Sequence, residues 1–133
     1  MADTPKRMSM PTPSSDTPAR RLVEIRAYRL KPGTRADFHA AVTERALPMV
    51  REFGMDVVAH GPVLTDENGY FLVRSFADLA ELRAQEDGFY GSQAWRDGPR
   101  EAVVSRIETY VDTLLWLLPA SIADLRAGNV SPA

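Results

Sequence analysis

Residues 22–30 alternate apolar and polar side chains, which is the period of a β-strand with one buried face. Lys31-Pro32-Gly33 ends this pattern, because Pro32 lacks a backbone N–H for the ladder and Gly33 admits turn dihedrals. The ordered part of the chain is therefore predicted to begin with a strand and a tight turn, and later segments must pack against that strand.

A long amphipathic helix is predicted next, over residues 34–53. Thr34 is expected to cap its start, and Gly54 stands where a left-handed residue often ends a helix. Pro48 falls inside this helix. Because proline has no N–H to donate to the carbonyl of Glu44, a kink is expected in the last turns.

The middle of the chain predicts a β-hairpin and a second helix. Residues 56–65 form the second predicted strand, and Gly61-Pro62 within it indicates a bulge or an edge position. Asn68-Gly69 is typical of a hairpin turn, and residues 70–76 form the third strand. Asp78 is expected to cap the following helix. The inward-facing residues of that helix are Leu79, Leu82, Glu86 and Phe89.

Residues 104–118 are ambiguous between helix and strand. Apolar residues recur every three or four positions, which favours a helix, but Thr109, Tyr110, Val111 and Thr113 favour a strand. Both interpretations are open from periodicity alone. We predict a helix to about Glu108 and a strand over residues 110–117, which gives the order β-α-β-β-α-β. The fold class is then α+β, a ferredoxin-like domain with a four-stranded antiparallel sheet.

Three segments are expected along the chain. Residues 1–20 contain four prolines and no apolar surface to bury, so they are predicted to be a disordered leader. Residues 21–118 form the ferredoxin-like domain. Residues 119–133 are predicted to form a short helix near Ser121 and a frayed tail.

Composition excludes several classes of function. The chain has no cysteine, so it contains no disulfide and no thiolate nucleophile, which suits the cytoplasm, where we place it. Its formal net charge of −2 gives no basic field for nucleic acid, so we predict no nucleic-acid partner. The longest apolar run, residues 114–118, is far too short to span a bilayer.

The sheet is expected to need a partner. Both helices of this topology lie on one face, and strand four is apolar on both of its sides. A homodimer through the sheet face away from the helices would remove that surface from water. The alternative is that the C-terminal helix covers this face. The same open face is expected to carry Glu24, Arg26 and Tyr28, which also makes it a possible ligand site.

Several short motifs resemble those of one known family. They are the segment from Val23 to Gly33 with its Lys-Pro-Gly end, Ala46-Leu47-Pro48, Phe76-Ala77-Asp78-Leu79-Ala80-Glu81 and Trp95-Arg96. In their order and spacing they resemble NIPSNAP domains. The resemblance implies a dimeric α/β barrel, in which two ferredoxin-like sheets pack together, and it implies little about chemistry.

Two histidines are the first candidates for chemistry. His60 lies beside the Gly61-Pro62 irregularity and is the candidate catalytic residue, although a structural role is its main alternative. His39 has no second ligand one helical turn away, and no metal site is predicted.

Five further residues are ligand-binding candidates. Arg26 or Arg74 can fix an anionic group while Tyr28 supplies a hydroxyl, or Glu24 can hold these arginines in a structural ion pair. Tyr90 and Trp95 form an aromatic wall over an apolar pocket, or they close the end of the core.

The sequence leads to two hypotheses about function. The first is a dimeric protein that binds a small apolar or amphipathic molecule, with no cofactor. The second follows from the resemblance, whose superfamily includes cofactor-independent monooxygenases and haem proteins, with His60 as base and Trp95 as substrate platform. No familiar catalytic motif is present, so the sequence leaves open whether the chain is an enzyme.

Overall fold

The computed structural model describes residues 19–129 as one four-stranded antiparallel sheet with helices. The strands are β1 (Arg21–Leu30), β2 (Asp56–Pro62), β3 (Gly69–Phe76) and β4 (Ile107–Leu117). The helices are α1 (Arg35–Ala41), α2 (Leu47–Phe53), α3 (Leu79–Tyr90), α4 (Gln93–Asp97), α5 (Arg100–Val104) and α6 (Pro119–Gly128). The strand order is β2-β3-β1-β4, so the predicted ferredoxin-like fold is confirmed. The predicted leader falls almost wholly on residues outside this description.

The ambiguous segment is a strand for most of its length. The helix α5 ends at Val104, and β4 begins at Ile107, three residues before the predicted start at Tyr110. β4 pairs with β1 from Leu30↔Ile107 to Arg21↔Leu117. The free edge of β1 supplies ladder partners that a helix would leave unused, and this long-range pairing decides what local periodicity left open.

The first helix is interrupted as Pro48 suggested. A π-helical turn (Val42–Ala46) separates α1 from α2, and the N–H of Leu47 donates to the carbonyl of Val42, five residues back. A wide turn of this kind accommodates the donor that proline lacks. Gly54 ends α2 with φ 108°, as predicted. Thr34 does not cap α1 with its side chain, since its hydroxyl donates to the carbonyl of Lys31 instead.

The hairpin and the second helix are present as predicted, but the end of the second strand and the position of its irregularity differ from the prediction. The second strand ends at Pro62 rather than at residue 65, and it lies at the edge of the sheet. Its register shift lies between Val57 and Ala59, not at Gly61-Pro62. Asp78 caps α3 by accepting a hydrogen bond from the N–H of Glu81 at 2.8 Å.

The expected placement of Glu24, Arg26 and Tyr28 on the open face is wrong. These side chains share the helix-covered face with Leu22 and Leu30, which belong to the main core. Strand parity had grouped them correctly but did not state which face receives the helices. The crossover from β1 through α1 and α2 decides that question, because connections between parallel strands of one sheet are almost always right-handed.

The opposite face, which we call the outer face, is only partly covered. Helix α6 packs its Ile122 against Val23, Val58 and Val73, near β2 and β3. Over β4 the face stays open, and Val111 is 67% exposed. The covering helix and the uncovered apolar surface foreseen from the sequence are thus both present. No helix within residues 19–129 is long and apolar enough to cross a membrane.

Candidate functional site

A cleft of about 840 Å³ opens between the helix-covered face of the sheet and the segment from α3 to β4. β1 and β4 form its floor, and the ends of α3, α4 and α5 form its walls. Its volume lies within the usual range for sites that hold small molecules. The lining residues that matter below are Arg26, Tyr28, Glu86, Tyr90, Trp95 and Val104.

The inner end of the cleft is backed by a buried ion pair. Arg74 is fully buried and donates to one oxygen of Glu24 from Nε at 3.0 Å and from Nη2 at 2.6 Å. The remaining donors of the same guanidinium reach the hydroxyl of Tyr90 at 2.8 Å and Oε2 of Glu86 at 3.0 Å. Buried charges need such partners, and here the pair also fixes two side chains of the cleft wall.

Arg26 brings a second positive charge to the floor of the cleft. Its Nε and Nη2 bond the two carboxylate oxygens of Asp112 at 2.8 and 3.0 Å. Its guanidinium carbon lies 4.3 Å from the ring centroid of Tyr110, a cation–π contact. Burial lowers the pKa of Arg26, but the bond to Asp112 and the nearby Tyr28, Tyr90 and Glu24 together outweigh it, so the pKa is raised and the group stays charged.

Glu86 adds a third carboxylate beside these two ion pairs. Arg74 is already matched by Glu24 and Arg26 by Asp112, whereas Glu86 shares both arginines, at 3.0 Å from Arg74 and 3.7 Å from Arg26. Burial and the neighbouring carboxyl of Glu24 raise the pKa of Glu86 to about 7, because together they outweigh the lowering by Arg74 and Arg26. A carboxyl that titrates near neutrality therefore lies at the cleft surface.

Aromatic rings form the walls above these charges. Trp95 is buried, and its ring centroid lies 5.3 Å from that of Tyr90 and 5.3 Å from that of Phe89. Ser92 caps α4 by accepting from the N–H of Trp95, which fixes the start of that short helix. Tyr28 lies on the floor, and burial raises its pKa, so its hydroxyl stays protonated at neutral pH.

A smaller cavity of about 30 Å³ lies behind the aromatic wall. Tyr28, Tyr90, Trp95 and Val103 separate it from the main cleft, because they line both spaces. Its other lining residues come mostly from α2 and the π-helical turn and are apolar. The inner wall of the cleft is therefore backed by packing that includes a small void.

The structure brings together four of the five ligand-binding candidates. Arg26, Tyr28, Tyr90 and Trp95 all line the cleft, and Arg74 lies behind it in contact with Tyr90. Sequence reasoning missed Glu86 and Asp112 as members of this site. Glu86 had a visible signal, since an acidic residue in the inward stripe of a helix must find a partner.

The candidate catalytic residue His60 lies elsewhere. Its Nδ1 is 3.2 Å from the hydroxyl of Tyr70, and Nδ1 of His39 is 2.7 Å from the same oxygen. Burial lowers the pKa of His60, as do Arg51 and His39. Neither histidine lines the cleft. Among residues 19–129, no three His, Cys, Asp or Glu side chains converge so as to hold a metal ion.

Comparison with family models identifies the chain. The NIPSNAP model matches residues 23–122, from β1 into α6. The chain belongs to the NIPSNAP family. The motifs on which the resemblance rested lie in β1, at the π-helical turn, at the junction of β3 and α3, and in α4. Two of them, in β1 and α4, contribute residues to the cleft.

Solved structures show the same fold at low identity. A NIPSNAP family protein of unknown function from Agrobacterium tumefaciens matches with a TM-score of 0.69 and 16% identity, over 75% of this chain and 90% of that one. An uncharacterised NIPSNAP-like domain protein from Burkholderia xenovorans gives 0.69 and 14%, over 76% and 88%. A putative antibiotic biosynthesis monooxygenase from Bordetella bronchiseptica gives 0.56 and 21%, over 74% and 95%. No curated protein matches the chain.

Proposed function

We propose that this NIPSNAP domain binds a small amphipathic molecule in the cleft between its sheet and α3 to α5. The observation that carries the proposal is the lining of the cleft, in which apolar and aromatic side chains lie beside charged groups. Val104 and Trp95 offer apolar contact, while Arg26 and Glu86 offer polar groups at the inner end. Binding sites for small molecules combine a mostly apolar lining with a few fixed polar groups in this way.

The polar end of the ligand would meet groups that are already held in place. Arg26 is fixed by Asp112, and Glu86 by Arg74, so binding orders few additional side chains. Such preorganisation lowers the entropic cost of binding. The apolar end would lie toward α5, where Val104 is 38% exposed.

The proposal is tested by blocking the cleft. 2-Naphthol is a suitable probe because it has a flat apolar body and one hydroxyl, and its binding can be followed by saturation-transfer NMR. Val104→Trp should fill the cleft mouth and abolish transfer to the probe. Leu64→Trp adds the same side chain at a position that is 93% exposed and outside the cleft, and it should leave transfer unchanged. Equal transfer in both variants would refute binding in the cleft.

A cofactor-independent monooxygenase is the second candidate. This candidate is supported by the fold shared with the Bordetella protein, which is named a putative antibiotic biosynthesis monooxygenase. Trp95 lies in the cleft wall, where a flat substrate would need an aromatic surface to stack on. Its proposed base, His60, does not line the cleft, so the candidate needs another base. Oxygen uptake with a polycyclic phenol such as anthralin would support this function, and uptake that survives Val104→Trp would exclude the cleft as its site.

We also propose that the domain forms a homodimer through the outer face. Between Arg21 and Arg29, the residues of β1 on this face are Val23, which α6 covers, and the more accessible Ile25 and Ala27, and β4 adds the exposed Val111. An apolar face without charges in its centre can meet a second copy of itself without burying unpaired ions. Sedimentation equilibrium at micromolar concentration measures whether that copy is bound.

A further inference from the structure

The cleft contains a reactive arrangement beyond a binding surface. A carboxyl, Glu86, stands beside a guanidinium, Arg26, with 3.7 Å between Oε1 and Nη2, and both line the same cleft. A base beside a fixed positive charge is what removal of a proton from carbon requires. The base accepts the proton, and the cation stabilises the negative charge that develops on the substrate.

We propose that Glu86 is a general base that removes a proton from a planar, conjugated carbonyl compound bound in the cleft. This inference rests on the proposed function, since it needs the molecule to bind there. The C–H bond next to the carbonyl breaks, its proton moves to a carboxylate oxygen of Glu86, and the electron pair moves onto the carbonyl oxygen as an enolate. Return of the proton to another carbon gives an isomer, so no oxidant, reductant or second substrate is consumed.

The geometry around Glu86 prepares it for this role. Its Oε2 is held at 3.0 Å by Arg74, and Arg74 is itself fixed by Glu24 and by the hydroxyl of Tyr90. The side chain is 15% exposed, so it is shielded from bulk water yet lies at the cleft surface. Its support is buried while the carboxyl lines the cleft, and such an arrangement can hold a catalytic group in position.

The charged and titratable groups of the network around Glu86 come from four elements. These are Glu24 and Arg26 from β1, Arg74 from β3, Tyr90 from α3 and Asp112 from β4. Burial and Glu24 raise the pKa of Glu86 to about 7, which is where a general base works well at neutral pH. The aromatic walls offer stacking for a flat substrate.

The probe for this activity is 5-nitrobenzisoxazole, whose ring opening needs only a base. Loss of the proton at its C3 moves the C–H electron pair into a nitrile, breaks the N–O bond and releases a coloured phenolate with no other reactant. We expect saturable turnover by the full chain, above the hydroxide background. The rate should rise with pH to a plateau with a midpoint near 7.

Glu86→Gln should lower kcat by about 10²-fold or more, the usual contribution of a general base. Glu101→Gln removes an equal charge from an exposed position on α5 outside the cleft and should leave the rate unchanged. Circular dichroism checks the fold of each variant. Should Glu86→Gln not fold, Glu86→Asp serves in its place, since it keeps the charge, draws the carboxyl back, and should still slow turnover.

The outcomes separate the two proposals. Binding of the probe without turnover, or turnover that persists in folded Glu86→Gln, overturns the inference and leaves cleft binding intact. Failure of the probe to bind at all, judged by saturation-transfer NMR, overturns both. Turnover that follows hydroxide concentration with no plateau excludes Glu86 as the base.

Discussion

Arg74 and Glu24 lie opposite each other on β3 and β1 and form a fully buried ion pair, with two donors of Arg74 on one oxygen of Glu24. The pair is a direct product of sheet register, since both residues point to the helix-covered face. The pair lies in the buried interior, and Arg74 also donates to Tyr90 and Glu86, which line the cleft. Structure and candidate site thus depend on the same two side chains.

Breaking this pair should cost much stability. Arg74→Met leaves the carboxylate of Glu24 buried without its main partner, and we expect a loss of about 3–5 kcal/mol in the free energy of unfolding. Adding Glu24→Gln should restore part of that loss, because the uncompensated charge is gone. Urea unfolding of the two single variants, the double variant and the unchanged chain measures the coupling. Additive single effects would show that the two residues do not act as a pair.

Glu86 should give the stability a distinctive dependence on pH. Its pKa is about 7 in the folded chain against an ordinary value of 4.5, so the folded state holds more protons between these limits. The stabilising contribution is complete below about pH 4.5 and is lost as the pH rises through 7. Glu86→Gln should abolish it.

The difference between the unchanged chain and Glu86→Gln isolates the contribution of Glu86 to the pH dependence of stability. The lowered pKa values of Asp56 and His60 affect both chains equally, so they cancel in the difference. Urea midpoints measured from pH 4.5 to 7.5 provide the data. Parallel curves for the unchanged chain and Glu86→Gln would contradict the prediction.

His60 is expected to matter for stability and not for the ligand. His60→Ala should leave 2-naphthol binding within about twofold, because the imidazole bonds Tyr70 and does not line the cleft. Tyr70→Phe should lower the free energy of unfolding by about 1–3 kcal/mol, since the hydroxyl serves both His39 and His60. A large loss of binding in His60→Ala would instead place the histidine in the site.

Val111 tests the proposed dimer. Val111→Asp introduces a charge into the exposed apolar part of the outer face, on the edge strand β4, and the proposed dimer would have to bury that charge. We expect the unchanged chain to sediment as a dimer and this variant as a monomer at micromolar concentration. Leu64→Asp adds the same charge in an exposed loop and should stay dimeric. A monomeric unchanged chain would refute the proposal.

The order of elements could be predicted from the sequence because each signal is local. Alternation identified β1, Asn68-Gly69 identified the hairpin turn, and Asp78 identified the start of α3. The candidates Arg26, Tyr28, Tyr90 and Trp95 were found for similar reasons, since strand parity and aromatic content can be seen without coordinates. They line one cleft in the folded chain.

Tertiary structure decided the features that depend on distant partners. β4 is a strand because β1 has an edge to pair with, and the cleft lies under the helices because the crossover from β1 places them there. Glu86 entered the site only when α3 packed over Arg26 and Arg74, which come from two strands. By itself the sequence determined which side chains point the same way along each element. Which elements face each other, and so which charges meet, depends on contacts between residues far apart in the chain.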